Sequence, residues 1–91
     1  MSRRRKQAST SRTTIDAIMR NAHFALGVSD ARAGLPFRAD YDDWDGNDQW
    51  DYERGRQWAM LAPRRVALKR RGGGLNPAAL HWFRLNVECI L

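Results

Sequence analysis

Three stretches of the chain carry apolar residues at the three- and four-residue spacing of a helix face. In the first, Ile15, Ile18, Met19, Ala22 and Leu26 fall on one side, and Thr13 with Asp16 three residues on approximates a capping box with Asp in the acidic role. This pattern predicts a helix from about residue 13 that Gly34-Leu35-Pro36 ends. A second helix is predicted from about Asp48 to Ala62, with acids in or near its first turns to complement the dipole and Pro63 to stop it. Asn76-Pro77 has the N-cap and first-position chemistry of a third helix. Leu80, Phe83, Val87 and Ile90 mark its face almost to the end of the chain.

The intervening segments read as connections. Residues 35 to 47, with Pro36 and Asp45-Gly46-Asn47, form an irregular link anchored by Phe37, Tyr41 and Trp44. Val66-Ala67-Leu68 is too short to define an element and reads at most as an extended edge. Residues 1 to 11 have no apolar anchor and are expected to be a disordered basic arm. The expected fold is all-α: one small helical domain over residues 12 to 91, made of two packed helices plus a C-terminal third helix.

Both long helices carry small residues four apart, Gly27 and Ala31 in the first and Gly55 and Ala59 in the second. A glycine in a helix interior costs about 1 kcal/mol relative to alanine. Close backbone approach would offset that cost, with Phe24, Tyr52, Trp50 and Trp58 walling the contact. The alternative is that these are tolerated glycines with no partner.

Phe24-x-x-Gly27-x-x-x-Ala31-x-x-Gly34, a short connection with Pro36-Phe37, and Tyr52-x-x-Gly55-x-x-x-Ala59 resemble the ribosome modulation factor family over roughly residues 22 to 62. Members of that family are small basic bacterial proteins of two helices joined by a linker. The resemblance implies binding to the small ribosomal subunit near its messenger-binding platform and the promotion of inactive, dimerised ribosomes. Relative to that pattern, this chain adds a segment from Pro63 to Leu91 and has a more acidic linker.

Composition narrows the remaining classes. At 91 residues there is room for one modest core, and 43% apolar residues with four tryptophans can build it despite a mean hydropathy of −0.67. The longest apolar runs are a few residues, and the basic start Met1-Ser2-Arg3-Arg4-Arg5-Lys6 leads into Gln7-Ala8-Ser9-Thr10 rather than an apolar region. A cytoplasmic location is therefore expected, with no membrane partner. Cys89 has no second cysteine to pair with, and with only His23 and His81 beside it no zinc site is expected. His23 reads as a boundary or core histidine, and His81 as a cap on the outer face of the third helix. Asp40, Asp42, Asp43, Asp45 and Asp48 miss a calcium loop, because from Asp40 the sixth position is Asp45 and the twelfth is Asp51. No nucleophile, base and acid fall at recognisable spacing. We expect no enzyme, no metal, no cofactor and no small-molecule substrate.

Charge supplies the functional reading. Sixteen Lys and Arg, fourteen of them arginine, against ten acids give a net +6, and the arginine fork matches phosphate bidentately. The charges are segregated. Arg3, Arg4, Arg5, Lys6 and Arg12 open the chain, and Arg64, Arg65, Lys69, Arg70 and Arg71 sit together near Gly72-Gly73-Gly74, which let a backbone approach a polyanion closely. Between them, seven acids lie within residues 40 to 53. Arg54 and Arg56 either grip phosphate or pair with neighbours such as Asp51. The aromatic series Trp44, Trp50, Tyr52, Trp58 offers either base-stacking faces or core.

The leading expectation is an RNA- or ribosome-binding protein that regulates translation by occupancy. Its nucleic-acid-binding residues would be Arg3, Arg4, Arg5, Lys6, Arg64, Arg65, Lys69, Arg70 and Arg71. The alternative is a phage- or mobile-element-encoded inhibitor of a nucleic-acid-processing complex, such as an anti-CRISPR. Asp40, Asp42, Asp43, Asp45 and Asp48, with Trp44, would then mimic phosphate toward a host nucleoprotein. A DNA-binding regulator is a weaker third possibility, since no helix-turn-helix spacing stands out. The late basic segment has its own alternative, folding back to neutralise residues 40 to 53 within the molecule.

Overall fold

The first predicted helix is two. In the computed structural model, which describes residues 14 to 91, α1 (Ile15–Arg20) is capped by Thr14, whose hydroxyl accepts from the Ala17 N–H at 3.1 Å. The cap thus falls one residue after the expected Thr13. Asn21 leaves the helical region (ψ 140°), and its side-chain oxygen accepts from the His23 N–H at 2.7 Å to start α2 (Ala22–Arg32). The predicted basic arm, with Arg3, Arg4, Arg5, Lys6 and Arg12, lies outside the described residues.

Gly34 stops α2 in the manner the sequence suggests. Its φ of +74° suits a residue without Cβ, the Leu35 N–H returns to the Asp30 carbonyl at 2.9 Å, and the Gly34 N–H returns to that of Ala31 at 3.1 Å. A 3₁₀ turn (Tyr41–Asp43) interrupts the connection. Then α3 (Gly46–Leu61) begins two residues before the expected Asp48. Asn76 caps α4 (Pro77–Leu85) by accepting from the Ala78 N–H, and a second break at Asn86 separates off α5 (Val87–Ile90). Among the described residues the fold is all-α, and none of the helices is long and apolar enough to cross a membrane.

The small residues do meet. Gly27 of α2 faces the backbone of Tyr52 and Arg56 in α3, and Gly55 of α3 faces the backbone of Phe24. Ile18 and Met19 of α1, Phe24 and Val28 of α2, and Trp58 and Ala59 of α3 then join Val66, Leu68, Leu75, Ala79, Phe83 and Ile90 in one core cluster. Trp58 is fully buried, and its indole N–H donates to the Ala79 carbonyl at 3.1 Å, tying α3 to α4. Trp50 departs from the expectation. It is 40% exposed and packs against Arg54 instead of walling the crossing, because it points away from α2 while Tyr52 and Trp58 point in.

Candidate nucleic-acid interface

The late basic segment is a hairpin-like excursion between α3 and α4, fixed at its base. Val66, Leu68 and Leu75 are buried anchors. Arg32 reaches across from α2 and donates to the carbonyls of Val66 at 2.7 Å and Pro63 at 3.0 Å, its guanidinium lying 4.9 Å from the Trp58 ring centre. Burial, followed by the nearby charge of Arg64, lowers the pKa of Arg32 from its usual value. The two limbs meet where the Asn76 N–H donates to Leu68 O and the Asn76 side chain to Ala67 O. Val66 to Leu68 thus forms the base of this hairpin, and a single antiparallel bridge among the described residues pairs Lys69 with Leu75.

The tip is a turn of Arg70, Arg71, Gly72, Gly73 and Gly74. Arg70 donates its N–H to Gly74 O at 2.7 Å, Gly73 donates to Arg70 O at 2.8 Å, and Gly73 takes a φ of +97°, where a side chain would be strained. Arg64, Arg65, Lys69, Arg70 and Arg71 are all exposed. Among the described residues none of the five lies within ion-pair distance of an acid. The fold-back onto residues 40 to 53 is not what the structure has.

The acidic segment forms a second polar surface. Asp40, Asp42, Asp43 and Asp45 are exposed, and Asp48 is half-buried with its carboxylate 3.4 Å from His23 Nδ1. Trp44 is half-buried, edge-on to His23 and Tyr52 with ring centres 5.0 and 5.1 Å away. Tyr41 donates its hydroxyl to Glu53, and Gln49 donates to the Tyr41 carbonyl, so the loop is pinned to α3. His81 is exposed and edge-on to Trp82.

A third cluster carried no sequence signal. Asp30, 2% exposed, accepts from Arg38 through both carboxylate oxygens (2.8 and 3.0 Å) and from the Tyr52 hydroxyl at 2.7 Å. The Arg38 hydrogen bonds hold its carboxyl below the usual range against the opposing effect of burial, with help from Tyr52. Arg56 donates to the Tyr52 hydroxyl and to Leu35 O and lies over Phe37, strapping the connection onto α3. The eight-residue step from Asp30 to Arg38 crosses a helix end and a loop, so no periodicity brings the pair together.

These contacts decide the earlier alternatives for several side chains. Arg54 is buried, 3.5 Å from Asp51 and 4.3 Å from the Trp50 ring centre; burial lowers its pKa and raises those of Asp51 and Glu53. Arg56 is engaged by the strap. Neither arginine presents a whole fork to solvent. Trp58 and Tyr52 are core, and Trp50, the most exposed of the four aromatic residues in that series, has a face covered by Arg54. A cavity of about 260 Å³ beside Trp50, Gln57 and Ile90 holds Arg54 already opposed by Asp51 and rimmed by Glu53. Among the described residues no three His, Cys, Asp or Glu side chains gather as a metal site would require.

Compared with known proteins, the chain matches no family model, no curated protein and no solved structure.

Proposed function

We propose that this chain is a small cytoplasmic RNA-binding protein, similar in action to ribosome modulation factors, that works by occupying its site on RNA or the ribosome without making or breaking a bond. The observation that carries this reading is the hairpin: five exposed cations without acidic partners among the described residues, on a base clamped by Arg32 and three buried apolar anchors. Such a surface presents its cations on a backbone that is already ordered, so only the side chains have still to be fixed on phosphate. Two helices joined by a linker and packed through Gly27 and Gly55 support the family resemblance.

The test is RNA affinity at several salt concentrations for the wild type and for a variant with Arg64, Arg65, Lys69, Arg70 and Arg71 all changed to glutamine. If about four of the five contact phosphate, the slope of log affinity against log salt becomes shallower by roughly 3, at about 0.7 per contact with single-stranded RNA. An unchanged slope overturns the reading. A pull-down from lysate with and without nuclease shows whether the RNA is ribosomal.

The acidic surface supports a second reading, an inhibitor of a nucleic-acid-processing complex. Asp40, Asp42, Asp43 and Asp45 are exposed and, among the described residues, unpaired. Capture of a protein partner that is lost on changing these four to asparagine, and kept in the five-glutamine variant, favours this reading over the first.

A further inference from the structure

No side chain fits at position 74 without moving Arg70. A Cβ on Gly74 would meet Arg70 Nη2 at 3.0 Å, Nε at 3.6 Å and Cζ at 3.7 Å, so the guanidinium lies directly against the glycine. None of the guanidinium nitrogens has a hydrogen-bond partner among the described residues, and neither do the backbone N–H groups of Arg71, Gly72 and Gly74. The positions where Gly72 and Gly73 would carry side chains are open space. One short turn therefore combines an unengaged arginine fork, three unengaged amide donors and the flanking cations Lys69 and Arg71, with nothing to keep an anion from the backbone.

We propose that this tip, residues 69 to 74, is a discrete phosphate-binding site that takes a single phosphodiester group of an RNA backbone. The Arg70 fork, lying against Gly74, supplies bidentate donors. The tip amides supply the concave donor set that turns offer to anions, and the absence of Cβ atoms lets the phosphate oxygens reach them. Arg64 and Arg65 then act at longer range, steering the polyanion toward the tip. The inference rests on the RNA-binding reading above and deepens it, replacing diffuse attraction with one located contact.

Two variants keep the net charge and perturb the geometry. Gly74→Ala sets a methyl against the guanidinium, which must yield by a few tenths of an ångström; the backbone at 74 lies outside the left-handed region, and only the end of a flexible side chain moves, so the melting temperature stays unchanged. Arg70→Lys keeps the charge and removes the fork. With a single-stranded RNA oligonucleotide at about 0.15 M salt, Arg70→Lys is expected to bind five- to tenfold more weakly than the wild type, roughly the loss of one charge-assisted contact, and Gly74→Ala to bind more weakly by a smaller factor. If both bind as the wild type does while the five-glutamine variant does not, the attraction is diffuse. The located site is then wrong and the RNA reading stands.

Titration with inorganic phosphate separates the two claims further. Saturable shifts of the Arg71, Gly72 and Gly74 amide resonances, weakened in Arg70→Lys, support the site even if the wild type binds no RNA, which would end the RNA reading alone. No shift in the wild type overturns the site.

Discussion

The backbone of Phe24 fills the space that a Cβ on Gly55 would need: its carbonyl carbon would lie 2.9 Å and its α-carbon 3.1 Å from that atom. Across the same crossing, a Cβ on Gly27 would meet Arg56 N at 3.0 Å and Tyr52 C at 3.1 Å. Neither neighbour is a side chain that can rotate away, so a larger residue must push α2 and α3 apart.

Alanine in a helix interior gains about 1 kcal/mol over glycine, and here the overlap outweighs that gain. Gly55→Ala is expected to cost about 2 kcal/mol net and Gly55→Leu about 3 or more. Gly46, with no heavy atom near its Cβ position, is the contrast; Gly46→Ala leaves stability unchanged or raises it slightly. Chemical denaturation of the three variants checks the ranking, and equal stability of Gly55→Leu and wild type would mean the helices do not pack at this glycine pair.

The acidic side of the stability profile should have two limbs of opposite sign. Burial raises the carboxyls of Asp51 and Glu53, so the folded chain takes up their protons first and stability rises as the pH drops from neutral into that window. Asp30 behaves oppositely. Its folded-state pKa is lowered, so its contribution is complete above the unfolded value, near pH 4, and is lost as the pH falls through the folded one. Thermal melts from pH 7 to pH 2 are expected to show a maximum in mild acid. Asp30→Asn costs about 2 kcal/mol at neutral pH, the order of a charge-assisted hydrogen bond, and flattens the decline below pH 4. A variant whose decline is as steep as wild type places the acid sensitivity elsewhere.

The segment after Pro63 is integral to the domain. Trp58→Phe removes the N–H that serves the Ala79 carbonyl and leaves a void in a fully buried site, for an expected loss of about 2 to 3 kcal/mol. Truncation after Ala62 uncovers Trp58 together with Met19 and Phe24, and such a chain is expected to show no cooperative melt by circular dichroism. A cooperative transition in the truncated chain would make the helix pair self-sufficient.

Much of this architecture is legible in the residues. Ile18, Met19, Phe83 and Ile90 announce their helices by spacing, Gly34 and Asn76 mark a stop and a start, and the Gly27–Ala31 and Gly55–Ala59 steps announce the crossing. Apolar spacing alone runs straight through the breaks. Both fall at asparagine, where a short amide side chain competes with the helix for backbone partners: Asn21 caps His23, and Asn86 donates to the Trp82 carbonyl. The basic segment was legible as charge, but its shape was not. That shape depends on Arg32 meeting the carbonyls of Pro63 and Val66, 31 and 34 residues away, and on a turn closed by Arg70 and Gly74. Asp30 was equally silent, since its partners arrive from a loop and from another helix.

The Arg32 clamp makes the hairpin thermodynamically inseparable from the helices beneath it. To come loose, the tip's base would have to release two charge-assisted hydrogen bonds and lift Val66, Leu68 and Leu75 out of the core, so the opening that frees the tip approaches the opening of the whole domain. Occupancy at the tip is then felt at Trp58 and Phe24 as well. An anion bound only by the folded chain raises global stability by mass action, about 2.7 kcal/mol at a hundredfold excess over its dissociation constant. On this account, protein held on its RNA would outlast unbound protein during proteolysis.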